Sequence, residues 1–184
     1  PGEVHGFNDV TLTRGNDAYV THMLQEAAIY RITQQDQKLE LFVKTEGLTY
    51  VNGITMTPDE KTLFVAGNEG VQAIDVATRK ARMLAVPEGV EMGMIDGLYY
   101  HRGSLVAVRG TSINRYRLDD AHTRVLLLEV VERDHPLMNV PTTGVIVGED
   151  FFYVANSQLD FVNPDGTLMT DKLSEPAILK LKLR

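Results

Sequence analysis

Four times along this chain a polar pair opens a short apolar strand: Asn8-Asp9, Asn52-Gly53, Asp96-Gly97 and Thr143-Gly144, at intervals of 44, 44 and 47 residues. A second strand follows each pair, at 18–21, 63–66, 105–108 and 152–155. Third strands read at 29–32, 71–76, 113–118 and 178–183, and fourth strands at 39–43, 82–86 and 125–131. The clearest unit runs over residues 52–76, where Pro58 and Asp59 make a turn between two strands rich in β-favouring residues. No stretch of useful length has a 3.6-residue period, so few helices are expected.

Four short antiparallel strands per unit predict an all-β chain, a β-propeller with blades of four antiparallel strands. About four blades are expected within a single propeller domain, over roughly 8–44, 52–86, 96–131 and 143–184. The last unit reads only three strands, which leaves an edge that needs covering. The simplest expectation is the C-terminal part of a longer propeller, with missing N-terminal blades or a self-association partner against the open side. A closed four-bladed ring is the alternative. Residues 156–177, polar and long, are inserted between the second and third strands of the last unit and are expected to form a lip over one face.

Composition narrows the partners. A formal net charge of −7 without a basic stripe argues against nucleic acid. No apolar run approaches the roughly 18 residues of a membrane helix, so no membrane partner is expected. The absence of cysteine excludes disulfides and thiolate metal sites but leaves the compartment open between a soluble periplasmic, secreted or cytoplasmic location.

In a propeller the first strand of each blade lies nearest the central channel, and the loop between second and third strands returns to the same mouth. Asn8, Asp9, Asn52, Asp96 and Thr143 are therefore expected to converge with His22, Asn68, Arg109 and Asn156. Oxygen donors without cysteine or clustered histidine suit a hard cation, Ca²⁺ before Mg²⁺. Asn-Gly and Asp-Gly are also common turn dipeptides, so a purely structural role stands beside this one. His22 is a candidate base or merely a loop histidine, and Met92 and Met94 either line the channel or pack between blades.

The stretch from Asn52 to Ala66 resembles the hallmark of the SMP-30/gluconolactonase/LRE-like six-bladed propellers, and the ending Phe152 to Gln158 is similar to a largely uncharacterised bacterial branch. The resemblance implies a calcium ion held by Asn52 and Asp96, with Asn8 and Asp9 supplying a further ligand or substrate contact. It implies four blades of six, and a metal-dependent hydrolase acting on a small lactone or ester. Asn8, Asn52 and Asp96 would hold the ion, Asp9 or His22 would assist proton transfer, and Asn68, Arg109 and Asn156 would contact substrate. The alternative is a non-catalytic propeller that binds a ligand or protein at its mouth.

Overall fold

The structure is a computed structural model that describes residues 5–183. Its strands form four antiparallel sheets, each a simple meander. The first blade contains β1 (Phe7–Leu12), β2 (Ala18–His22), β3 (Ala28–Ile32) and β4 (Leu39–Lys44). The second contains β5 (Ile54–Met56), β6 (Thr62–Ala66), β7 (Val71–Asp75) and β8 (Ala81–Met83). The third contains β9 (Leu98–His101), β10 (Ser104–Arg109), β11 (Ser112–Leu118) and β12 (Val125–Arg133). The fourth has β13 (Gly144–Val147), β14 (Asp150–Val154) and β15 (Ile178–Lys182), with no fourth strand among the described residues. Helical structure there is confined to two short 3₁₀ turns, Leu159–Phe161 and Thr170–Lys172. The molecule is thus an all-β propeller array of four blades, and no helix among the described residues is long and apolar enough to cross a membrane.

The second strands explain how blades stack. Leu63-Phe64-Val65-Ala66 and Leu105-Val106-Ala107-Val108 are apolar without alternation because both faces of these strands are buried. Leu63 and Val65 join Ile54 and Ile74 in packing against Tyr19, Ile29 and Phe42 of the first blade. Phe64 and Ala66 face the other way, onto Leu98, Leu105, Ala107 and Tyr116 of the third. Val106, Val108 and Ile113 then meet Phe151, Tyr153 and Leu183 of the fourth. Burying one such side chain contributes about 1.5–3 kcal/mol. The two outer faces differ: Val10, Leu12, Leu39 and Leu41 on the first blade and Val145, Val147 and Ile178 on the fourth are exposed.

The innermost strands β1, β5, β9 and β13 touch in succession. Each is a sheet edge whose unpaired N–H groups need acceptors. Ile54 donates its N–H to Asp9 Oδ2 at 3.3 Å, Tyr100 to Thr55 Oγ1 at 3.0 Å, and Gly144 to Tyr99 Oη at 2.6 Å, with 45 residues between the partners every time. The repeat seen in sequence therefore recurs as a chain of side-chain-to-backbone bonds that staples neighbouring blades at the axis.

Candidate functional site

The second and third polar pairs enter their inner strands in one shared backbone geometry. Asn52 N–H donates to Ala66 O and Ala66 N–H to Gly53 O, both at 2.9 Å; Asp96 N–H to Val108 O and Val108 N–H to Gly97 O repeat those distances. Glycine follows the anchor because the next blade comes close. A Cβ at Gly97 would lie 2.6 Å from Tyr99 Oη and 2.7 Å from Thr142 O. In the first blade Asp9 stands at the equivalent place, and its carboxylate reaches the next blade instead.

This arrangement brings Asn8, Asp9, Asn52, Asp96 and Thr143 to one cleft of about 400 Å³, which Gly97, Thr142 and Leu159 complete. Asn52 and Asp96 also line an adjoining recess with Asn68, Met23, Tyr50 and Met94. The residue set reached from the strand entries therefore meets in space, across all four blades.

Hydrogen bonds orient the polar groups. Asn52 Nδ2 donates to Asp96 Oδ1 at 2.8 Å, and Asn8 Nδ2 points to Met23 Sδ at 3.4 Å. Among the described residues nothing donates to Asn8 Oδ1, Asn52 Oδ1 or Asp96 Oδ2. Asp9 is better satisfied, with Oδ1 accepting from Val10 N–H at 2.9 Å and Oδ2 from Ile54 N–H at 3.3 Å. Burial raises the pKa of Asp9 above the usual carboxylate value, against the lowering effect of those two backbone donors. Burial likewise raises that of Asp96; the Asn52 bond lowers it and the charge of Asp9 raises it further. Neither carboxylate has an ion-pair partner among the described residues. The cleft is thus negative, partly desolvated and uncompensated.

Of the other expected site residues, Asn68 lines the adjoining recess and the rest lie elsewhere. His22 does not line the cleft: its partner across the strands is Phe7, and its side chain lies on the outer face of the first blade, against His5, Phe7 and Tyr30. The side-chain alternation of β2 sends it to that face. Arg109 binds Gly93 O through Nε at 2.9 Å and Glu91 Oε2 through Nη2 at 2.6 Å, beside Met94. Asn156 is buried and closes the base of the insertion, donating to Glu175 O at 2.9 Å and accepting from Ala177 N–H at 2.5 Å. Asn68 Nδ2 donates to Thr49 Oγ1 at 3.2 Å on the rim. The insertion does reach the mouth, through Leu159.

Sequence reading missed Tyr99. Its hydroxyl bonds Thr143 Oγ1 at 3.0 Å and accepts from Gly144 N–H, and burial, with smaller contributions from the charges of Asp9 and Asp96, raises its pKa so that it stays neutral. Its separation from Gly144, equal to the Asp9–Ile54 separation, is the one signal that could have exposed it. Among the described residues no group of three or more histidine, cysteine, aspartate or glutamate side chains gathers as a metal cluster. Any cation here would depend on amide oxygens beside two carboxylates.

Fold and cleft define a β-propeller with an acidic, amide-lined axial mouth. No protein-family model and no curated protein sequence matches the chain. Solved structures do resemble it. A gluconolactonase from Xanthomonas campestris superposes with a TM-score of 0.62 at 16% identity, over 82% of this chain and 54% of that one. Regucalcin, a calcium-binding protein from Agrobacterium tumefaciens, gives 0.62 at 14% identity, over 95% of this chain and 60% of that one. The Malassezia sympodialis allergen Mala s 1 gives 0.69 at 17% identity, over 96% and 55%. The chain therefore spans somewhat more than half the length of these proteins, and the likeness is one of fold.

Proposed function

We propose that the axial cleft is the divalent-cation site of a lactone- or ester-hydrolysing propeller, with Ca²⁺ the favoured ion. The observation that carries this reading is the set of oxygens without donors, Asn8 Oδ1, Asn52 Oδ1 and Asp96 Oδ2, beside two desolvated carboxylates that lack a cationic partner. All are hard donors, and Ca²⁺ accepts six to eight oxygens in loose geometry, water included, so these residues fit the ion. Gluconolactonase and regucalcin, with the same fold, lend the reading its chemistry. Bound there, the cation would supply Lewis-acid polarisation of a carbonyl oxygen.

The chain's own residues do the rest. Asn8, Asn52 and Asp96 hold the ion, and the Asn52–Asp96 bond fixes both side chains before it arrives. Asp9, its pKa raised by burial, accepts a proton from water at the mouth more readily than an ordinary carboxylate does. It is preferred to His22, which faces the outside of the first blade. Asn68, in the adjoining recess, would donate to a ligand oxygen through the Nδ2 hydrogen that Thr49 Oγ1 does not take. The same reading implies that further propeller blades or another chain pack on the exposed outer faces, as the neighbours' greater length suggests.

Calorimetric titration of chelator-treated protein with CaCl₂, followed by hydrolysis assays on a panel of simple lactones and aryl esters, tests the proposal. Calcium binding that Asn52→Ala abolishes, with calcium-dependent turnover lost alongside, supports it. Failure to bind any divalent cation would sink it.

The raised carboxylate pKa values give a second expectation of definite sign. The folded state binds more protons than the unfolded chain between the ordinary value of 3.8 and the raised folded values. The contribution of these two carboxylates to cation-free stability is therefore greatest below that window and declines as pH rises through it. It is opposite in sign to that of carboxylates such as Asp119 and Asp150, whose pKa values are lowered. Asp96→Asn removes the penalty, so its cation-free melting temperature at pH 7 should rise, while calcium affinity falls at least about tenfold. Thermal melts with chelator and with calcium check both; a lower cation-free melting temperature with the calcium-induced shift unchanged would mean that Asp96 is purely structural.

A further inference from the structure

Large apolar side chains surround the cleft and the recess that shares Asn52 and Asp96 with it. Met23 from the first blade and Tyr50 and Met94 from the links into the second and third line the recess, and Leu159 from the insertion in the fourth lines the cleft. Three of them are well exposed, Tyr50 at 58%, Met94 at 67% and Leu159 at 56%. Tyr50 and Met94 stand two residues ahead of Asn52 and Asp96, and both have left-handed backbone, with φ of 48° and 54°. Side chains with a Cβ crowd the following carbonyl there, and glycine would be the unstrained choice.

Both strained turns are clamped. Glu69 accepts from Thr49 N–H and Thr49 Oγ1, each at 2.7 Å, immediately before Tyr50. Arg109 Nε holds Gly93 O at 2.9 Å immediately before Met94, whose N–H donates to Gly67 O at 3.1 Å. The apolar cores use neither side chain. Ten other non-glycine residues share the left-handed backbone, Val140 in the link into the fourth blade among them. Tyr50 and Met94 are set apart because there it carries large, exposed apolar side chains, held by these bonds, at a polar recess.

We propose that Tyr50 and Met94 form an apolar selectivity rim, so that the cleft takes a small carbonyl compound bearing an alkyl or aryl substituent in preference to a polyhydroxylated one. Glu69 and Arg109 are positioning residues for that rim. The proposal rests on the hydrolase reading only for the reacting carbonyl; recognition of the substituent comes from burying it between the two side chains, worth tenfold or more in discrimination per well-packed group.

The test compares an alkyl-substituted γ-lactone, unsubstituted γ-butyrolactone and gluconolactone on the calcium-loaded protein and on the double variant Tyr50→Gly/Met94→Gly. Glycine relieves the backbone at both positions, so the variant should fold, which circular dichroism verifies. Binding is read by saturation-transfer NMR and turnover by proton release. The expected result is a preference for the alkyl lactone over γ-butyrolactone that drops about tenfold or more in the variant. Alkyl-lactone binding lost in the variant, without turnover in either protein, leaves the rim standing and removes the hydrolase reading. Turnover without an alkyl preference, or a preference the variant retains, overturns the rim while leaving hydrolysis intact. Absence of both binding and turnover overturns both.

Discussion

Gly53→Val should leave the protein largely unfolded, or lower its stability by about 3 kcal/mol or more, the upper end of overpacking costs. A Cβ at this position would sit 2.5 Å from Asp96 O, 2.7 Å from Leu98 N and 2.8 Å from Leu98 Cβ. Two of these atoms are backbone at the entry and start of the next inner strand, so no rotamer change can make room. The only relief is to push the second and third blades apart at the axis, which strips Phe64 and Leu98 of their packing and pulls Asn52 from Asp96. Urea denaturation followed by circular dichroism reads the loss. Wild-type stability in Gly53→Val would mean that the inner strands do not approach as described.

Phe64→Ala should cost about 3–5 kcal/mol, the range for deleting a large aromatic from a core. Phe64 is wholly buried, stacks with Tyr100 at a ring separation of 6.0 Å, and meets the edge of His122 at 5.5 Å. Its neighbours belong to two different blades, and inner-strand staples limit how far those blades can collapse into the cavity. Val145→Ala is the matched control. Val145 is exposed on the outer face of the fourth blade, and its truncation should change stability by no more than about 0.5 kcal/mol. Equal losses from the two variants in the same urea series would contradict the inter-blade core.

Much of the fold was legible because propeller information is local and repeated. The strand entries at Asn8, Asn52, Asp96 and Thr143 announced themselves by spacing; the missing alternation at 63–66 and 105–108 also encodes burial on both faces, a signal the strand reading did not use. Convergence of the entry residues on one cleft followed from strand order alone. The destination of loop side chains did not. His22 lies one strand end from the axis, yet β-alternation turns it outward. Arg109 found a carbonyl and a carboxylate on its own side of the rim, and Asn156 was consumed in closing the insertion. Such outcomes depend on side-chain direction, which spacing does not encode. Met94 was expected to line the channel or pack between blades, and Tyr50 was not. The left-handed backbone of both was hard to anticipate, because it is signalled by glycine or asparagine and is here occupied by neither.

The three apolar clusters connect the blades in a row, first to second, second to third and third to fourth. Stability in such an arrangement is a sum over adjacent units, and a disturbance in one blade reaches a distant one only through those between. The axial cleft is the exception, for there the entry residues of the first and third blades lie close enough for the charge on Asp9 to shift the protonation of Asp96. A ligand seated at that point would couple non-adjacent units directly, as a keystone does in an arch, and the whole array would then melt as one body rather than blade by blade.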